Sequence, residues 1–111
     1  MNKLTEQKTD AQVAHEAEVN FLNNPSVVKA GVTAIREVDT MLKAYEDMLM
    51  GLVKLKINIQ ILTSLCLLHP DNQELFKKKE MVEKDIEVNT NAVAVMRQQI
   101  IEKCKLENEK N

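Results

Sequence analysis

The sequence predicts an all-α protein: a long antiparallel helical hairpin, coiled-coil-like, preceded by a short N-terminal helix and assembling into a helical bundle. Three observations carry this. Gly and Pro number only two each in 111 residues, whereas a sheet-rich domain needs many turns, and turns need those residues. Apolar side chains recur at alternating spacings of three and four, which is the repeat of a helical seam. Each proline, finally, stands where the surrounding residues start or stop a helix.

The elements follow in order along a single domain, 1–111. Residues 1–8 are polar and predict a flexible N-terminus without the apolar region of a secretory signal. Thr9 and Gln12 have capping-box spacing and open a short helix over 9–23, with Ala14, Ala17 and Phe21 on one face. Asn24 before Pro25 is a helix start. A long helix over 25–69 follows, in which Gly31 and Gly51 each cost about 1 kcal/mol against Ala. His69-Pro70 ends it, because a residue before proline avoids the α region. Asp71 with Glu74 three positions on reads as the cap of a second long helix, 71–106. The tail 107–111 should fray.

The first long helix carries Val38, Met41, Tyr45, Met48, Leu52, Leu55, Ile59, Leu62 and Cys66 at heptad spacing. The second carries Leu75, Val82, Ile86, Val93, Met96 and Ile100, with Lys79 and Asn89 also at seam positions. A tight turn at Pro70 makes facing positions sum to 141, which sets Ile59 by Val82, Leu55 by Ile86, Met48 by Val93 and Tyr45 by Met96. Glu37 then falls near Lys103 and Lys105. Asn89 reads either as a polar residue that fixes register or, preferably, as an edge position reaching water.

An amphipathic helix is polar on its outer face. The second half of the first long helix is not. Met50, Val53, Ile57, Ile61, Leu65 and Leu68 form another stripe away from the seam, and between Met48 and Leu68 only Lys54 and Lys56 are charged. On the second helix Met81, Val88, Ala92 and Val95 offer a matching line. The short N-terminal helix spans only roughly 22 Å, so folded back from Pro25 it reaches about residue 40 and leaves the stripe open. Exposed apolar patches of this size mark interaction sites. The expected oligomer or partner interface is therefore Met50, Val53, Ile57, Ile61, Leu65, Leu68, Val88 and Val95. A membrane span is the rival, since Met48–Leu68 is long enough; Lys54, Lys56, Asn58 and Gln60 within it disfavour insertion.

Other chemistry finds little support. Fifteen basic and seventeen acidic residues are interspersed for a net charge of −2, without the basic face that nucleic-acid binding needs. Aromatic residues are 3%, too few for the stacking platforms and deep pockets that they usually line. His15 with Glu18 could be half a metal pair, yet a di-iron bundle needs several inward carboxylates, and neither seam carries a Glu. The glycines stand alone, so no phosphate loop exists. Cys66 and Cys104 lack metal-ligand spacing and read as small apolar residues in a reducing compartment. No catalytic residue, cofactor or metal is expected, and cytoplasmic residence is the default. The functional expectation is a non-enzymatic protein–protein interaction module. It forms a homo-oligomer, dimer or tetramer, and acts on a protein partner as adaptor, chaperone or inhibitor. The alternatives are a structural subunit of a larger assembly and a membrane-associated hairpin.

Overall fold

A computed structural model describes residues 9–110. Among them are four helices: α1 (Asp10–Leu22), α2 (Pro25–Thr33), α3 (Arg36–Leu68) and α4 (Gln73–Lys110). The protein is all-α, and α3 and α4 pack against each other as a helical hairpin. The flexible segment expected over 1–8 lies outside the described residues. The chain forms two compact units. The first combines residues up to Asp39 with those from Ile100 onward, and the second comprises Thr40–Gln99.

Local sequence explains the helix starts. Thr9 and Gln12 make the reciprocal pair that their spacing predicts: the Thr9 N–H donates to Gln12 Oε1 (2.8 Å) and the Gln12 N–H donates to Thr9 Oγ1 (3.1 Å). Two orphan donors at the end of α1 are thereby satisfied. Asn24 Oδ1 accepts from the N–H groups of Ser26 (3.0 Å) and Val27 (3.4 Å), with Pro25 in the first turn of α2. Glu37 and Asp39 in the first turn of α3 face the positive end of its dipole.

Three boundaries differ from the sequence reading. The helix expected over 25–69 is broken. α2 stops at Thr33, Ala34 adopts a left-handed conformation (φ 55°, ψ 48°), and α3 starts at Arg36. Gly31, Val32 and Thr33 are weak helix formers in succession, and the Thr33 hydroxyl donates back to the carbonyls of Lys29 and Ala30. The Ala34 N–H donates to Gly31 O and the Ile35 N–H to Ala30 O, which closes the helix end as a Schellman-type cap. The second helix starts at Gln73 rather than 71, because Asn72, not Asp71, supplies the cap: its Oδ1 accepts from the Leu75 N–H at 3.3 Å. It also runs past 106 to Lys110, where fraying was expected.

Ala34 yields a direct test. A left-handed L-residue carries a steric cost of roughly 1–2 kcal/mol that glycine avoids, part of it offset by glycine's greater freedom when unfolded. Ala34→Gly should therefore stabilise the fold by about 0.5–1 kcal/mol, read as a higher urea midpoint at unchanged slope.

In the first unit, Phe21, Val27, Ala30, Val38, Ile100 and Cys104 form the core, and Val38, Ile100 and Cys104 are fully buried. Burial pushes the Cys104 thiol above its usual range. The end of α4 is tied down twice. Asn108 Nδ2 donates to the Ser26 carbonyl at 3.0 Å, while its Oδ1 is buried without a hydrogen-bond partner among the described residues. The Glu107 carboxylate bridges Lys103 (2.9 Å) and Lys110 (3.3 Å). The hydrogen bond from Lys103 leads in holding the Glu107 carboxyl below its ordinary range, and the same bond leads in raising the Lys103 ammonium. A carboxylate with a lowered folded value stabilises above its unfolded value and loses that contribution as pH falls through the folded one. Amide-exchange protection of Lys105–Lys110 should accordingly fall on acidification through the carboxylate range, and Glu107→Gln should flatten that dependence.

In the second unit, Tyr45, Leu52, Leu62, Cys66, Val82 and Val93 are buried, while Met41, Met48, Leu55, Ile59, Leu75, Ile86 and Met96 are half-buried. These are the heptad positions of the expected seam. Arg97 Nη1 donates to Tyr45 Oη at 3.3 Å, and those numbers sum to 142, one from the expected register. A slip of seven residues would move the pair about 10 Å apart along the axes. Within the first unit Glu37 raises the Lys103 ammonium through its charge, at a sum of 140. Asn89 is half-buried, and its Nδ2 donates to the Asp85 carbonyl of its own helix at 2.7 Å in an exposed hydrogen bond.

Candidate interaction surface

The site is built on the outer side of the second unit. With the seam turned toward α4, the residues of α3 between its seam positions face solvent. Six of the eight expected interface residues lie on α3, and the exposure of five of them is high for aliphatic side chains. Met50 is 54% exposed, Ile61 54% and Leu68 73%, with Val53 and Ile57 similar. Leu65 is half-buried at the edge of the stripe. On α4, Val88 and Val95 are exposed, as is Met81, and Ala92 is half-buried.

Seven of the eight expected residues, all but Leu65, are exposed in the folded chain and make up the candidate surface. Polar groups within it have local roles or point outward. Thr63 Oγ1 donates to the Ile59 carbonyl at 2.7 Å, which removes its demand for a partner. Lys54 and Lys56 are exposed, and their long stems can lie along apolar neighbours with the ammonium in water.

Two further apolar residues are exposed and were not singled out from sequence. Leu67 is 78% exposed and Phe76 is partly exposed, near the turn that joins α3 to α4. Leu67 sits beside Leu68 in an unbroken apolar run, and that run was the available signal. Phe76 follows the seam residue Leu75 and offers no periodic signal of its own. At the turn itself, residues from Leu68 to Glu74, with Lys77, line a wide, open concavity. Its sides are chiefly polar, and no nucleophile with a neighbouring base stands in it.

The remaining candidates stay apart. Cys66 and Cys104 are free and buried, one in each unit. His15 is exposed on α1 and His69 is exposed at the end of α3. Among the described residues no group of three His, Cys, Asp or Glu side chains could hold a metal ion. By length and composition α3 is long and apolar enough to cross a membrane. Comparison with protein-family models, with curated proteins and with solved structures finds no match in any of the three.

Proposed function

We propose that this chain is a non-enzymatic helical interaction module. It self-associates through the apolar face of α3 and acts as an adaptor, chaperone or inhibitor by occupying the surface of a protein partner. One observation carries the reading: the stripe from Met50 to Leu68 is aliphatic, regularly spaced and open to solvent. Covering it removes apolar area from water at roughly 25 cal/mol per Å².

Multi-angle light scattering over a range of concentrations tests the proposal. The expected mass is a multiple of 12.7 kDa. A monomer at every concentration would overturn self-association. The second reading is membrane association, favoured by the composition of α3. Against it, Lys54 and Lys56 interrupt the apolar run, and α4 beside it carries Lys77, Lys78, Lys79, Glu80, Glu83 and Lys84, which are costly in hydrocarbon. Flotation with lipid vesicles separates the two: an interaction module stays in the dense fraction, and a membrane hairpin rises with the lipid.

A further inference from the structure

The break between α2 and α3 runs against the local sequence. Val27, Gly31, Ala34, Val38, Met41 and Tyr45 follow one another at spacings of four and three, so the seam repeat of α3 passes through the break without losing phase. Residues 31–36 contain no proline, and a helix can continue across them. Among the described residues Ala34 is the one non-glycine residue with positive φ. That conformation is sterically costly for an L-residue, and helix continuation would remove it. Capping chemistry points the same way. α1, α2 and α4 each begin after a side-chain oxygen, supplied by Thr9, Asn24 and Asn72. α3 begins after Ile35, whose aliphatic side chain has none to offer.

The core of the first unit keeps the break in place. The arm formed by α1 and α2 supplies Phe21, Val27 and Ala30 to that core, and Val38, Ile100 and Cys104 supply the rest. Ser26 on the arm also accepts from Asn108 of α4. Were Ala34 and Ile35 to turn α-helical in a lone chain, the arm would leave this core and both apolar surfaces would meet water. A second copy opened in the same way offers the identical core. Every arm contact is then remade between copies, and the left-handed residue disappears from both. Arm contacts thus contribute equally to the closed and the exchanged forms, and the conformation at Ala34 tips the balance, together with concentration.

We propose that Ala34–Ile35 is the hinge of an arm exchange, in which two copies swap α1–α2 and each gains one continuous helix over 25–68. A short connection under strain is the condition that invites such a swap. The exchange goes beyond the self-association proposed above, because it uses none of the stripe on α3.

Isotope mixing reads the exchange. The full-length chain carrying Ser26→Cys and Asn108→Cys is prepared in natural and heavy-isotope-labelled forms; the side chain of residue 108 already reaches the backbone of residue 26, and the native thiols are buried. Equal amounts are mixed at high concentration, held just below the unfolding midpoint, cooled and mildly oxidised, and the peptides bridged through positions 26 and 108 are weighed by mass spectrometry. A closed chain bridges within itself and gives peptides of a single isotope composition. Exchange joins the two preparations, so bridges of mixed composition should rise with concentration toward statistical mixing. Bridges of single composition at every concentration would overturn the proposal.

The hinge is read separately, by light scattering after the same incubation, in chains that all carry Ile61→Asp to remove association through the α3 face. Ala34→Val should raise the dimer fraction several-fold, because a branched side chain fits a helix far better than a left-handed position. Ala34→Gly should lower the dimerisation constant by at least about tenfold, since glycine relieves the closed form and weakens the continuous helix. A dimer yield indifferent to both substitutions would overturn the assignment of the hinge, and so would a strictly monomeric Ala34→Val chain. As the α3 face is disabled in every sample, this result stands or falls apart from the function proposed for that face.

Discussion

Ile61→Asp is expected to abolish the proposed self-association and leave a helical monomer. Ile61 is 54% exposed in the single chain, so a carboxylate there remains hydrated as long as the chain is alone. Association would have to strip that hydration, and by symmetry it would do so in both copies. An unpaired charge in an apolar contact costs several kcal/mol, which amounts to at least about a hundredfold in dissociation constant. Light scattering should report the mass of one chain. Far-UV circular dichroism should retain much of its helical signal, because the α3–α4 seam is untouched. Glu46→Gln, at an exposed position off the stripe, is the control and should leave the mass unchanged. An unaltered oligomeric mass for Ile61→Asp would show that the stripe does not mediate assembly.

Ile100→Ala should give the largest loss of fold stability. Ile100 is fully buried in the first unit together with Val38 and Cys104. Truncating it removes the transfer free energy of the lost atoms and leaves a cavity, for about 2–5 kcal/mol in total. A domain of this size has roughly 5–15 kcal/mol of stability, so the urea midpoint should fall steeply. The same chemical change at Ile57, which is half open to solvent, should alter single-chain stability by only about 0.5 kcal/mol while weakening association. The pair separates two uses of one residue type. A small effect at Ile100 would mean that the first unit contributes little to cooperative unfolding.

What could be read from the sequence was what periodicity encodes. The seam from Tyr45 to Cys66 and its counterpart from Leu75 to Met96 repeat every three or four residues, and burial follows that repeat. The stripe of α3 was equally legible, because apolar side chains stood where a solvated face calls for polar ones. The break at Ala34 was not. Left-handed helix ends are usually marked by glycine, yet the glycine here is Gly31, inside α2, and alanine takes the strained position. The ordered end of α4 was hidden for a different reason. Asn108 is held by the carbonyl of Ser26, a partner 82 residues away, and a local reading sees only a charged tail. Leu67 and Phe76 escaped notice because neither falls on a repeat. The shift of the α4 cap from Asp71 to Asn72 reflects two neighbouring residues with equivalent capping chemistry.

The distribution of sulfur has a practical consequence. Each compact unit shelters one thiol, Cys104 in the first and Cys66 in the second. An alkylating pulse followed by peptide mapping would clock the transient breathing of each unit separately, in the native chain and without an added label.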